Sequence, residues 1–363
     1  MATTFFNPSD PSTNKLWSKE LYRETRKKTV ATKFIGATSD SLIQILDDTQ
    51  KHPGDKITYT LRMQLNGAGV LGFGLLEGNE EAMTFYTNSL LLDNLRHAVK
   101  LQGSVSQQRV PWDLLNEAKI ALSDWYASRY DVALLNHLGG NSSQSNAIYT
   151  GNNAPSAPDS NHQIFAGTAT NEATLTSAMT FTLSLVDQCV ATAKTLTPAI
   201  RPVRLKNGEY YVMFLHPFQV QALRKSTAAG DWKDIQLAAM QGGQIEDNPI
   251  FTGALGMFNG VILHEDARVP YGDNTQNLLH TDLGAPAAGT TSVARAIFCG
   301  AQSAVIAFGR NYNWPTKYKW VTQADDYEDQ VGVAVGSVWG ATKSVFNTAD
   351  FATIVVSTWS QLS

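Results

Sequence analysis

The chain has 363 residues, 43% of them hydrophobic and only 17% charged, with a formal net charge of -4. That length and apolar content exclude a disordered protein and allow a large core spread over more than one domain, while a charged fraction below the ~25% of ordinary soluble domains fits surface that ends up against neighbours. The charge balance gives no general attraction to nucleic acid, and no apolar run approaches the ~20 residues of a membrane-spanning helix.

From Lys15 to Lys33, "KLWSKELYRETRKKTVATK" sets seven basic residues against Glu20 and Glu24, a local charge of +5. If helical, it places Trp17 and Leu21 on one face, and either a solvated face or a docking arm fits the pattern. From Ile57 to Leu65, "ITYTLRMQL" alternates strictly, with Ile57, Tyr59, Leu61, Met63 and Leu65 on one side and Thr58, Thr60, Arg62 and Gln64 on the other. That is a strand with one wet face. After a glycine-rich run, "AMTFYTNSLLLDNLRHAV" reads as extended up to Leu92, so two long strands flank a glycine-rich tip.

Pro111 to Leu138 has the apolar spacing of a helix, with proline in its first turn, Asp113 and Glu117 early, and Gly139-Gly140 as its stop. Asn141 to Asn171 is low in charge and rich in Asn, Ser, Gly, Thr and Pro, and reads as a long insertion with little regular structure. A second helix is expected over about Ser177 to Lys194. Beyond it come an apolar strand "YYVMFL" (Tyr210 to Leu215), a helix opened by Pro217, strands "GVILHED" and "RAIFCG", a helix "AQSAVIAFG", and β segments "VGVAVGSVWG" and "ATIVVSTW" after an acidic cluster at Asp325, Asp326, Glu328 and Asp329. Fully apolar strands imply a sheet covered on both faces.

Gly67, Gly69 and Gly72 spell G-x-G-x-x-G after a strand, with Asp93 about 20 residues on, as in a dinucleotide-binding loop. The context argues against it, because the strand carries Arg62 on a polar face and Gly74 and Gly78 fall where a helix should run, each about 1 kcal/mol worse than alanine there. Glu77, Glu80 and Glu81 could be an acid/base group, but water at a hairpin tip keeps carboxylates ionised, and recognition of a partner is the better reading. The seven histidines form no metal-ligand pair; His264 is expected to end a strand and His216 to cap a helix. Cys189 and Cys299 lack paired spacings and read as buried free thiols, and no catalytic motif or cofactor site emerges.

The order of these parts, with "LWSKELYRETRKKT", "GDKITYTLRMQLNGAGVLG", "LEGNEEAMTFY", "LRHAV", "SQQR", "LLNEAKIALSDWYASRYD", "YYVMFLHPFQVQALR", "NPIFTGALGMFNGVILHEDARVP" and "FCGAQSAVIAFG", resembles the major capsid proteins of podovirus-type tailed phages, and within them the N-four-like branch. The resemblance implies an α+β, Hong Kong 97-type (HK97-like) capsid fold. It divides the chain into an N-terminal arm (1–50), an extended loop (51–95), a peripheral domain with a long spine helix (96–195, containing the 141–171 insertion), an axial domain (196–324) and C-terminal strands that rejoin the peripheral sheet (325–363). It implies no enzyme activity, cofactor or metal, and a subunit that self-assembles through hexamers and pentamers into an icosahedral head around double-stranded DNA. Expected interface residues are Arg62, Gly67, Gly69, Gly72, Gly74, Glu77, Glu80 and Glu81 in the loop, and Trp17, Lys19, Arg23, Arg26, Lys27 and Lys28 in the arm. Further partners would be a portal, a separate scaffold and cement proteins where they are used, and packaged DNA through weak non-specific contact, without membrane; the place of assembly would be the host bacterial cytoplasm and the final location the virion. An encapsulin-like compartment shell, and more remotely an NAD-dependent oxidoreductase using the glycine run, are the alternatives.

Overall fold

The computed structural model of the chain describes residues 33–46, 55–63, 65, 67–103, 108–111, 113–205, 208–225, 254–273, 292–309, 317–326 and 329–360. The expected arm residues Trp17, Lys19, Arg23, Arg26, Lys27 and Lys28 lie outside them. The strands in chain order are β1 (Ile35–Gly36), β2 (Ile43–Leu46), β3 (Lys56–Arg62), β4 (Phe85–Leu91), β5 (Asp93–Lys100), β6 (Gln163–Phe165), β7 (Val203–Leu205), β8 (Gly208–Leu215) and β9 (Ala254–Phe258). They continue with β10 (Val261–Glu265), β11 (Tyr271–Asp273), β12 (Ser292–Cys299), β13 (Ala304–Phe308), β14 (Lys319–Asp325), β15 (Gln330–Lys343), β16 (Val345–Phe346), β17 (Ala349–Asp350) and β18 (Thr353–Trp359). The helices are α1 (Leu114–Leu138), α2 (Ala147–Thr150), α3 (Leu183–Thr195) and α4 (Pro217–Lys225). None of the helices among the described residues is long and apolar enough to cross a membrane.

Helix α1 starts later than Pro111 because Asp113 is its cap: the carboxylate accepts from the Leu115 N–H at 2.9 Å, satisfying one of the donors that a helix start leaves open. It stops at Gly139, followed by Gly140 at φ +58°, where a side chain would be strained and a Cβ would meet Pro158. Its 25 residues make a rod of about 38 Å. Leu122, Tyr126, Tyr130 and Leu134 on α1 pack against Ile306, Val333, Val335 and Trp339 of a six-stranded sheet with the order β1-β2-β13-β15-β14, to which β5 adds along β15. The Tyr126 hydroxyl donates toward the carbonyls of both Leu95 on β5 and Val335 on β15, each at 3.0 Å.

An eight-stranded sheet has the order β6-β18-β12-β8-β10-β9, with β11 on β12 and β7 on β8. The apolar run of β8 is explained by its two faces: Val212 and Phe214 join the core shared with α1, whereas Tyr211, Met213 and Leu215 enter a second core under α3 and α4. Strand β18 lies beside β12 in this sheet, while β15 belongs to the other, so the C-terminal strands divide between the two.

Three expectations change. Residues 304–308 of "AQSAVIAFG", read as helix, form β13: Gln302 takes a left-handed φ of +61° that ends the preceding turn, and β13 then pairs antiparallel with β15 and parallel with β2. A short apolar run fits either state by pattern alone, and here the flanking strands decide it. The second helix starts at Leu183 rather than Ser177. The segment 141–171 has little regular structure, as expected, yet it packs inward: Asn141, Thr150, His162, Ile164 and Ala166 are buried. Its polar groups are matched internally, Asn136 Nδ2 donating to the Tyr149 carbonyl (3.1 Å) and Asn141 Nδ2 to Asn136 Oδ1 (2.9 Å), which is what lets a polar loop be buried.

Candidate functional site: the extended hairpin

Among the described residues β3 and β4 pair only with each other, in antiparallel register from Lys56 opposite Leu91 to Arg62 opposite Phe85. The alternation read over Ile57 to Leu65 is realised as far as Arg62, where β3 ends, with Ile57, Tyr59 and Leu61 half-buried between exposed neighbours, whereas Leu65 is exposed. The base of the hairpin is anchored. Ile57 and Tyr59 pack on a small core of Leu90, Leu92, Val305 and Ala307, and the Tyr59 ring meets Phe346 edge-on at 5.8 Å. Asn88 Nδ2 donates to the Tyr59 hydroxyl (2.8 Å) and the Lys343 carbonyl (3.2 Å). Asn153, from the 141–171 segment, clamps the Leu91 peptide: its Oδ1 accepts from the Leu91 N–H and its Nδ2 donates to the Leu91 carbonyl, both at 3.0 Å. A side-chain amide thus stands in for a further strand at the hairpin base.

Away from the base the support ends. Met63 N–H still donates to the Thr84 carbonyl at 3.0 Å, and beyond it the chain runs through turns with no helix over the described residues 67–84. Gly69 and Gly72 have φ of +65° and +63° in open space, so backbone conformation rather than crowding calls for glycine there. Glu81 Oε2 accepts from the Gly67 N–H (2.6 Å) and Glu80 Oε2 from the Gly78 N–H (2.8 Å), so both carboxylates brace the tip from inside. Gly74 lies where a Cβ would strike Val70, and Arg62 and Glu77 are exposed.

The feature that residue chemistry did not single out is apolar. Leu71 is 92% and Phe73 108% exposed, and Leu65, Leu75, Leu76, Met83 and Phe85 are exposed as well. A monomer rarely shows such a contiguous apolar patch without a use for it. Burying Leu71, Phe73, Leu75 and Leu76 gives roughly 6–12 kcal/mol at ~1.5–3 kcal/mol per side chain, before the cost of ordering the tip. The signal available in the sequence was a cluster of large apolar residues in a stretch too glycine-rich to build its own core.

Elsewhere, the buried titratable groups act as struts. Arg295 clasps Glu172 with Nε to Oε1 (2.6 Å) and Nη2 to Oε2 (3.0 Å), while its Nη1 donates to the carbonyls of Gly139 (3.1 Å) and Gly140 (2.8 Å) at the end of α1. The Ser357 hydroxyl completes the set on Glu172 Oε1 at 2.7 Å. Arg268 pairs with buried Asp131, and Lys343 with Asp350 at 2.7 Å. Burial pushes Lys343 down and Asp350 up, each opposed by the other's charge. His137 Nε2–H donates to the Thr150 carbonyl at 2.8 Å and burial lowers its pKa to about 4. Cys189 and Cys299 are buried free thiols, and burial raises both pKa values, that of Cys299 to about 12, which keeps them protonated and poor nucleophiles. His216 caps α4 as expected, its Nδ1 accepting from the Phe218 N–H at 3.3 Å, and His264 is the penultimate residue of β10. Among the described residues no group of three or more His, Cys, Asp or Glu side chains could hold a metal ion.

Two sheets bridged by a long helix, with a hairpin held at its base and bare at its end, define a shell subunit of Hong Kong 97 type. The model of a family described as phage capsid protein matches residues 6–362, and the chain belongs to that family. The major capsid protein of Pseudomonas phage KPP25 is 29% identical over 374 residues, covering 94% of this chain and 93% of the relative. Among solved structures, the capsid of Ralstonia phage GP4 is 30% identical, with a TM-score of 0.79 and 99% of each chain covered. The capsid of Cyanophage Pam1 is 21% identical with a TM-score of 0.71, covering 92% of this chain and 93% of the other. The function is therefore that of a major capsid protein of a phage, a structural part of the virion and not an enzyme. The oxidoreductase and encapsulin alternatives give way to this family.

Proposed function

We propose that the chain builds the icosahedral head shell of a tailed phage from hexamers and pentamers, enclosing double-stranded DNA, and that the hairpin is its main lever on the neighbouring subunit. The observation that carries this reading is the exposed apolar tip beyond a firmly anchored base. A paired strand of seven residues extends about 24 Å at ~3.4 Å per residue, so the tip stands too far from the core of its own subunit to be covered by it. Contacts of moderate strength repeated around closed rings give a stable shell by mass action and multivalency.

In this reading α1 and the six-stranded sheet form the peripheral domain and the eight-stranded sheet the axial one, which refines the expected boundaries at 96–195, 196–324 and 325–363. The arm residues Trp17, Lys19, Arg23, Arg26, Lys27 and Lys28 reach adjacent subunits. Assembly takes place in the host bacterial cytoplasm with a portal, and with scaffold and cement proteins where they are used. The narrower N-four-like placement rests on the hairpin and helix motifs alone. The net charge of -4 lets packaged DNA lie against the wall without adhering. Negative-stain microscopy of the expressed protein tests the reading: icosahedral particles, or rings of five or six, are expected, and a monomer that stays monomeric under all assembly conditions would overturn it. Of the three tip carboxylates, Glu80 and Glu81 brace the loop itself, so Glu77→Lys is the cleaner probe of contact with a partner.

A further inference from the structure

The corner of the fold beneath the hairpin base holds a buried lysine against a buried aspartate. Lys343 ends β15 and Asp350 ends β17, on either side of the short β16–β17 turn, and their side chains are 0% and 2% exposed. Lys343 Nζ lies 2.7 Å from Asp350 Oδ1 and donates to the Ser156 carbonyl at 3.2 Å, while Asp350 Oδ2 is buried with no hydrogen-bond partner among the described residues. We propose that these two side chains join in an intrachain amide, Lys343 Nζ to Asp350 Cγ, a modification that the folded chain makes on itself. The inference goes beyond the shell reading and does not depend on it.

A lysine amine attacks a carboxyl group only as the neutral base, and the carboxyl gives up its hydroxyl only when protonated. Water keeps both groups ionised, so the reaction needs a dry site. Burial supplies one here: desolvation pushes Lys343 down and Asp350 up, toward the neutral pair, against the attraction of their opposite charges. The contact supplies the rest, because groups held together react as if at very high concentration. Lys343 Nζ bonds to Asp350 Cγ, Oδ1 stays as the amide oxygen, and the Cγ–Oδ2 bond breaks. One amine proton passes to the departing hydroxyl, which leaves as water, and nothing is oxidised or reduced. His162 is placed to carry that proton. It is buried, its Nδ1 lies 3.3 Å from Asp159 Oδ2, and its charge acts on Asp350 as that of Asp159 acts on Lys343. Two other ion pairs lack these conditions: the Arg295 guanidinium that meets Glu172 does not lose its proton, and the Lys100–Asp325 pair at 3.0 Å stands in water. The product has a use. The Lys343 carbonyl accepts from Asn88 of β4 and Phe346 meets Tyr59 of β3, so the amide staples the corner on which the hairpin sits.

Mass spectrometry of the denatured, trypsin-digested chain is the test, because Lys343 is the sole tryptic site between Lys319 and the C-terminal Ser363. The linked chain should give one peptide from Trp320 to Ser363, uncut after Lys343 and lighter than its sequence by one water, about 18 Da. Cleavage after Lys343 with both fragments at full mass, in free subunits and in assembled shells alike, would overturn the proposal whether or not shells form. Lys343→Arg cannot form the amide and should restore the cut after residue 343 and the full mass of both fragments. A water deficit that persists in Lys343→Arg would also overturn the proposal, since it would arise from another reaction. His162→Gln should lower the linked fraction of newly made chain about tenfold or more, and an unchanged fraction would overturn the part given to His162.

Discussion

The end of α1 and the tip of the hairpin are opposites built from the same kinds of residue. Around Gly139 and Gly140 every charge found is answered within the chain, with Arg295 serving two carbonyls and a bidentate carboxylate that also takes a hydroxyl. At the tip, large apolar side chains face water, and Glu80 and Glu81 accept from the loop's own backbone N–H groups. The contrast teaches that the body folds on internal terms, whereas the hairpin leaves the apolar side chains of its tip exposed. Perturbing the body should therefore change stability, and perturbing the tip should change assembly alone.

The largest effect on stability is expected from Glu172→Ala. It leaves Arg295 buried without its counter-ion, a loss of about 3–5 kcal/mol, read as a lowered urea midpoint of the unassembled subunit. Pairing Glu172→Leu with Arg295→Met should recover only part of it, because the Gly139 and Gly140 carbonyls then lose their donor. A double variant as stable as the parent would show that the clasp does not hold the end of α1.

Acid should loosen the same region somewhat less. Burial, the main cause, lowers the His137 pKa from 6.5 to about 4, with the Thr150 carbonyl opposing and the Lys343 charge adding to the shift. The unfolded chain takes up this proton below about 6.5 and the folded chain only below about 4. The contribution is thus fully present above pH 6.5 and lost as pH falls toward 4, about 3 kcal/mol in all. His137→Gln should flatten the stability profile between pH 6.5 and 4, and an equally steep profile in the variant would assign acid sensitivity elsewhere. Asp113→Ala, removing the cap of α1, should cost about 1 kcal/mol, measured in the same unfolding experiment.

The parts legible in the sequence were those whose signal is local. Alternation gave most of β3, apolar spacing and Gly139-Gly140 gave the body and end of α1, and the apolar run of β8 foretold a sheet covered on both sides. What escaped depends on partners far along the chain. β13 is a strand because β2 and β15 flank it, the Glu172–Arg295 clasp joins residues 123 apart, and Asn153 finds Leu91 across 62 residues. Of the candidate site, the glycine-rich tip was legible, but the bareness of Leu71 and Phe73 appears only once the fold shows that none of the described residues lies over them.

The smallest effect on stability and the greatest on assembly are expected of Phe73→Asp, and this variant tests the central claim most directly. Sedimentation velocity and thermal melting of the variant and the unmodified chain, run side by side, should show unfolding within about 0.5 kcal/mol of each other, with shells from the unmodified chain and only dispersed subunits or small rings from the variant. Shells of normal size and yield from Phe73→Asp would contradict the account, since the bare tip would then need no neighbour.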